Sequence, residues 1–257
     1  MVVAAFTDLH LFKIDSISQK PSTSFGENKA NITDLGFEKD CKWLFTSAED
    51  GVIQIFDLRA KGFQMKYENS CSINTAILHP MQTEIYFGDD KGNICIWDLT
   101  KNQPSMLQED PEQVSIRSLD ITVDGSKLAA ANSEGIMFTR IASESSIFEP
   151  QEDIEAHLGS YILKCKFSRC GQYIATCSSD RSVKIWECDD DNIFDETQEL
   201  TGHLGWVWDC AFTANSDYLL SVSTDTIIRI WDIATGDLKR PLKGHTKGIT
   251  SLAFSDC

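Results

Sequence analysis

Apolar and polar residues alternate along Val183-Lys184-Ile185-Trp186 and again along Ile228-Arg229-Ile230-Trp231. A period of two turns one face of an extended segment into a core and the other toward solvent, so both segments are strands. Such strands run into an aromatic residue, usually followed by an acid, in Phe56-Asp57-Leu58, Trp97-Asp98-Leu99, Trp186-Glu187 and Trp231-Asp232-Ile233. Shortly upstream of each, small residues precede a turn-forming acid, in Ser47-Ala48-Glu49-Asp50, Gly88-Asp89-Asp90, Ser178-Ser179-Asp180 and Ser223-Thr224-Asp225. These are hairpin turns. Further upstream, Leu35-Gly36-Phe37, Lys166-Phe167-Ser168, Ala211-Phe212-Thr213 and Ala253-Phe254-Ser255 each end another strand, and Gly202-His203, Gly244-His245 and the variant Ala156-His157 stand at the head of a unit.

Four marks that keep register at a period of about 40 to 45 residues predict an all-β chain, a WD-repeat β-propeller whose blades are four-stranded units. Full units fall at residues 31–70, 73–108, 116–154, 161–201 and 206–242, within a single domain spanning 1–257. Residues 2–6 and 9–14 supply the later strands of one more unit, with Phe12 at the Trp position, and residues 249–254 supply a first strand. Pairing of these N- and C-terminal strands would close the ring with six blade equivalents and remove two exposed sheet edges. In the unit from Ile116, Arg140 and Ile141 stand where Trp and Asp are expected after Glu134-Gly135. An irregular or exposed edge is expected there.

The histidines carry the one constellation that resembles catalysis. His203, Ser221 and Asp225 have the composition of a nucleophile set, with Trp231 following, and His157, Thr176, Asp180 and Trp186 repeat it at the same spacing to within one residue. An active site is needed once. A network tying a loop to two strands is needed in every blade, and a buried imidazole, hydroxyl and indole must find partners. Both sets therefore read as structural tetrads, with no catalytic residue, no metal ligand and no cofactor site assigned.

Charge narrows the partners. Lys and Arg number 23 against 39 Asp and Glu, a formal net charge of -16 in 257 residues, which repels phosphate backbones and anionic lipid surfaces. Nucleic acid and direct membrane insertion are therefore not expected, nor is a small-molecule substrate. The acidic run Asp189-Asp190-Asp191 with Asp195 and Glu196 reads as a solvated loop. Nine cysteines, at 41, 71, 95, 165, 170, 177, 188, 210 and 257, include no C-x-x-C pair. That pattern fits reduced core residues in a reducing compartment. The apolar start from Met1 to Phe6 meets Asp8 directly and has no basic segment before it, so no secretory signal is expected and the Asn31-Ile32-Thr33 sequon stays unmodified. A cytoplasmic location follows as the expectation.

Propeller partners dock on loops at one end, because strands are committed to the sheets. Residues just before each first strand line that end: Asn31, Ser72, Ser115, Tyr161, Trp206 and Gly248. Trp206 and Tyr161 are the anchors of choice, since interfaces recruit large aromatics; of Trp206 and Trp208, one faces a partner and one packs between blades. A phosphopeptide adaptor would need arginines converging on one face, and only Arg117 lies near this rim. A propeller enzyme would need paired carboxylates or metal ligands at the channel, and no such set stands out.

Segments beyond the generic repeat resemble one family. These are Lys42-Trp43-Leu44-Phe45-Thr46, Leu78-His79-Pro80, Val114-Ser115-Ile116, Gly205-Trp206-Val207-Trp208-Asp209-Cys210-Ala211-Phe212, and Thr235-Gly236-Asp237-Leu238-Lys239-Arg240 ahead of Gly244-His245. They are similar to the G protein beta-subunit-like proteins, the small WD-repeat subunits of target-of-rapamycin kinase complexes. The resemblance implies a seven-bladed parent in which Met1 falls within the second repeat, so that about one N-terminal repeat is lacking. It also implies a non-catalytic scaffold in growth and nutrient signalling, which packs one end of its ring on an insertion in the C-terminal lobe of the kinase domain. A generic WD-repeat adaptor with another partner is the alternative.

Overall fold

The computed structural model describes residues 2–5, 9–12, 23–25, 29–60, 62–143, 148–189 and 192–254, giving, His10 apart, backbone alone for the first three stretches. Phe6 and Ile14, the side chain of Phe12, Asp190, Asp191, Ser255 and Cys257 lie outside that description. Every element among the described residues is a strand, and the strands form six antiparallel sheets in chain order. The first sheet has three strands, Val2–Ala5, Leu9–Phe12 and Thr23–Phe25. The second joins Ile32–Phe37, Trp43–Ala48, Val52–Asp57 and Phe63–Glu68, and the third Ile73–Leu78, Glu84–Asp89, Ile94–Asp98 and Gln103–Gln108. The fourth begins with Ile116–Ile121, Lys127–Asn132 and Ile136–Ala142. The fifth consists of Ile162–Phe167, Tyr173–Ser178, Val183–Cys188 and Phe194–Leu200, the sixth of Val207–Phe212, Tyr218–Ser223, Ile227–Asp232 and Leu238–Lys243. These limits lie within two residues of the units expected from the repeat.

The chain divides into two compact units, residues 1–113 and 114–257. In the first, Phe45, Ile53 and Tyr67 of the second sheet pack on Ile73, Phe87 and Trp97 of the third, with the Tyr67 and Trp97 rings 5.7 Å apart. In the second, Ala129 and Met137 meet Cys165, Ile174 and Trp186, and beyond them Ala175, Cys177 and Ile185 meet Cys210, Leu219 and Trp231. Strand alternation sends each buried row into the gap between neighbouring sheets, so the core is a series of slabs.

Register shifts repeat with the sequence. Each first strand slips against its neighbour between its first and third residues, at Ile32/Asp34, Ile73/Thr75, Ile116/Ser118, Ile162/Lys164 and Val207/Asp209. Bulges add local twist and re-aim side chains, and here they bring the third residue of one first strand to the backbone of the next sheet. Asp34 Oδ2 accepts from Ala76 N at 3.3 Å and Ser118 Oγ from Cys165 N at 3.1 Å.

One expectation needs correction and another is met. Residues 249–254 do not form a strand, and among the described residues they pair with none of the first sheet. They sit where a further first strand would start: Ile249 N donates to Ser223 O at 3.1 Å, and Leu252 N donates to Asp209 Oδ2 at 2.8 Å. The segment is held by the sheet before it. In the fourth sheet, the outer edge is split into Phe148–Pro150 and Ile154–Glu155, both paired with Ile136–Ala142. Pro150 has no N–H to continue the ladder, and Arg140, opposite it, takes the position of the indole.

Candidate protein-interaction site

Apart from Gly248, each residue expected to line the docking end occupies the same place in its own sheet. Its carbonyl accepts from the turn joining the second and third strands: Glu49 N to Asn31 O, Asp90 N to Ser72 O, Ser133 N to Ser115 O and Ser179 N to Tyr161 O, all 3.0 Å, and Thr224 N to Trp206 O, 3.1 Å. Side chains differ in what they present. Asn31 is exposed and donates to Glu49 Oε2, Ser72 is half-buried, Ser115 is buried and offers no side-chain surface, and Gly248 is exposed beside Thr224.

Tyr161 and Trp206 differ from the rest. They remain 47% and 44% exposed, with rings 6.2 Å apart in an edge-to-face arrangement. Trp208 lies half-buried beside Trp206, its ring centroid 5.9 Å away. Leu158 and Leu204, each directly after a tetrad histidine, are 74% and 78% exposed. Beside them an open depression of about 700 Å³ is lined by Ser179, Arg181, Leu204, Gly205, Trp206 and Thr224. Sequence reasoning passed over Leu158, Leu204 and Arg181, although a large apolar residue directly after each histidine was a readable signal.

The two tetrads hold these loops. His157 Nδ1 lies 2.7 Å from Asp180 Oδ2 and its Nε2 lies 2.8 Å from Thr176 Oγ1, which accepts from Trp186 Nε1 at 3.1 Å. Because a carboxylate only accepts, Nδ1 carries the proton and Nε2 accepts from the threonine hydroxyl. Burial would raise the Asp180 carboxyl, but bonds from His157 and Ser182 hold it well below the usual range. In the sixth sheet, His203 Nε2 lies 2.7 Å from Ser221 Oγ, which also accepts from Trp231 Nε1 at 2.8 Å, and Nδ1 lies 3.0 Å from Asp225 Oδ2. The two sets thus share one architecture, hydroxyl to imidazole to carboxylate with an indole on the hydroxyl. Both imidazoles are buried, and neither hydroxyl is open to a substrate.

Among the described residues no group of three His, Cys, Asp or Glu side chains is arranged to hold a metal ion. Arg117 is exposed on the first strand of the fourth sheet.

Successive antiparallel sheets, most of them four-stranded, with bulged first strands and histidine-anchored turns define the WD-repeat β-propeller class. In agreement, the WD domain, G-beta repeat family matches residues 19–57, 148–187 and 194–232. The β-propeller domain of Myceliophteria thermophila Cps50 (Swd1) superposes with a TM-score of 0.79 over 94% of this chain and 81% of that one, at 15% identity, a likeness of fold alone. More particularly, the chain belongs to the LST8 family. It is 38% identical to the target of rapamycin complex subunit LST8 of Bos taurus, over 100% of this chain and 82% of that protein. The Saccharomyces cerevisiae subunit of the same name is 35% identical over 100% of this chain and 84% of its own length. LST8-1 of Arabidopsis thaliana is 37% identical over 80% of this chain and 68% of its own.

Proposed function

We propose that this chain is a non-catalytic subunit of a target of rapamycin complex, which binds the kinase and stabilises its catalytic domain. The family supplies the complex, and the observation that carries the binding role is the exposed Tyr161 and Trp206 pair. Two aromatic rings in mutual contact, flanked by Leu158 and Leu204 and a guanidinium at Arg181, are the composition of an interface anchor. A soluble protein leaves such a cluster uncovered at a site of association. Duplication of the histidine networks supports a structural reading of both, hence an absence of catalysis. The net charge of -16 disfavours nucleic acid and anionic membranes, and free thiols at Cys41, Cys71, Cys95, Cys165, Cys170, Cys177, Cys188 and Cys210 suit a cytoplasmic location.

Capture from native lysate tests the proposal. Tagged wild-type protein is expected to recover a target-of-rapamycin kinase, and Trp206→Ala to lose about 2 kcal/mol or more of that affinity with its fold intact. Recovery of no such kinase by the wild-type protein, or full capture by Trp206→Ala, overturns it.

A further inference from the structure

Lys127 opens the second strand of the fourth sheet, and Cys188 closes the third strand of the fifth. Lys127 Nζ donates to Cys188 Sγ at 2.9 Å, the two residues being 61 apart in sequence. The same ammonium reaches the carbonyl of Gly171 at 3.5 Å and stands 5.9 Å from the centre of the Phe194 ring. Among the described residues no carboxylate is paired with it. A lysine that turns inward onto a sulfur, with acids abundant elsewhere on the chain, is a placement that folding alone does not require.

Both partners are fixed from the backbone. Cys188 N donates to Gln172 O at 2.7 Å, and Cys188 stands opposite Phe194 in the ladder. Lys127 N donates to Thr122 Oγ1 at 3.0 Å, and Lys127 stands opposite Ile141. The sulfur is mostly buried and the amine is partly so. Held nitrogen and sulfur in contact, screened from bulk water, give an intramolecular reaction a large advantage over attack by any outside nucleophile.

We propose that Lys127 and Cys188 form a peroxide-responsive covalent cross-link, a sulfur–nitrogen bond joining two neighbouring sheets. The Cys188 thiol gives up its proton to solvent, and its sulfur attacks hydrogen peroxide. A sulfur–oxygen bond forms, the oxygen–oxygen bond breaks, and the departing hydroxide takes a proton from the ammonium to leave as water. The sulfenic acid now faces a neutral amine. The Lys127 nitrogen attacks sulfur, the sulfur–oxygen bond breaks, and hydroxide leaves with the nitrogen's proton as a second water. Sulfur is oxidised by two electrons and one peroxide is reduced by two. Condensation of a sulfenic acid with a backbone nitrogen to a sulfenamide is established, reversible cysteine chemistry, and here the lysine nitrogen takes that place. The link would close a long loop across the fourth sheet, whose outer edge is split, and so restrain the least regular sheet of residues 114–257.

The test treats the full-length protein with hydrogen peroxide, alkylates remaining thiols, and maps tryptic peptides by mass spectrometry. A peptide joining the Lys127 and Cys188 segments is expected, lighter by two hydrogens than the sum of its reduced parts, uncleaved at Lys127, and separated by dithiothreitol. Thermal unfolding of the treated protein should shift upward and return on reduction. Lys127→Arg keeps the charge and the fold but cannot condense, so its Cys188 should instead be captured by dimedone or proceed to sulfinic acid. The proposal fails if wild-type Cys188 is itself captured or sulfinylated without the joined peptide. It fails equally if Cys188 stays reduced at a peroxide dose that oxidises exposed Cys170.

Discussion

Arg229 Nη1 lies 2.5 Å from His203 Nδ1 and 2.7 Å from Asp225 Oδ2, so a buried guanidinium is inserted into the second tetrad. Arginine only donates. His203 Nδ1 thus faces this donor as well as the Asp225 carboxylate, where His157 Nδ1 faces Asp180 and the Ser182 hydroxyl. At the equivalent place in the fifth sheet, Lys184 pairs with Glu196 at 2.9 Å and stands over the outer face of the tetrad indole, 5.9 Å from the centre of the Trp186 ring.

The insertion makes the sixth sheet sensitive to acid. Burial pushes His203 below its ordinary value of 6.5, and Arg229 adds to this against the opposing Asp225 carboxylate. The folded state then binds fewer protons than the unfolded one, so this contribution is full above about pH 6.5 and is lost as pH falls through the lowered folded value. The Asp225 carboxyl is held at about 2 by Leu204 N–H, His203, Arg229 and Ile227 N–H despite its burial, so its own loss begins only below 3.8. Urea midpoints taken from about pH 8 to about pH 5 should fall with acid. Arg229→Leu should flatten that slope, because the cation that helps to lower His203 is then gone. It should also cost about 1 to 3 kcal/mol at neutral pH for the lost partner of a buried carboxylate.

Thr176 joins an imidazole to an indole in the fifth sheet, so Thr176→Val, which keeps the shape and removes the hydroxyl, leaves Trp186 Nε1 without an acceptor. A loss of about 1 to 3 kcal/mol is expected, read as a lower urea midpoint with an unchanged slope. Retention of wild-type stability would mean that the network contributes nothing to the fold.

Sheet limits were legible because alternation and turn residues act locally: the Val183-Lys184-Ile185-Trp186 pattern fixes which side is buried whatever surrounds it. The composition of the tetrads was legible from spacing repeated in two units. Arg229 was not, because its sequence position equals that of Lys184, and only three-dimensional packing decides whether a long cation turns in or out. Residues 249–254 have the pattern of a first strand, yet a strand also needs a partner, which local pattern does not supply. Ser115 likewise has the right position for the rim, but burial there depends on its neighbours.

Gly135 turns the chain between the second and third strands of the fourth sheet at φ 90°, and a Cβ built on it would fall on the carbonyl of His157. The crowding atom is backbone and is fixed, since His157 N donates to Gly135 O at 2.9 Å. Gly135→Ala therefore meets both a disfavoured φ and a clash that no side-chain rotation relieves. A cost of about 3 kcal/mol or more is expected, with Gly159→Ala, where φ is 72° but nothing lies within 4 Å, costing distinctly less in the same thermal unfolding series.

Asp209 decides whether the terminal segment stays docked. Its Oδ1 accepts from Cys210 N at 2.9 Å and its Oδ2 from Leu252 N at 2.8 Å, while burial raises the carboxyl despite Lys164 and Lys166 nearby. An acid raised on folding contributes most below its unfolded value and loses that contribution as pH rises through the folded one, so at neutral pH the charge is a net cost. Asp209→Asn removes that cost and keeps one acceptor, which should leave overall stability near that of the wild type. Asp209→Leu removes both acceptors, and Leu252 N is released together with the segment that follows Lys247. Trypsin reports the difference, because cleavage after Lys247 requires the segment to leave the sheet. Hydrogen bonds to a charged group are worth about 1.5 to 3 kcal/mol, so cleavage in Asp209→Leu should be about ten-fold faster or more, with Asp209→Asn between it and the wild type; equal rates in all three would show that the segment is held by something other than this carboxylate.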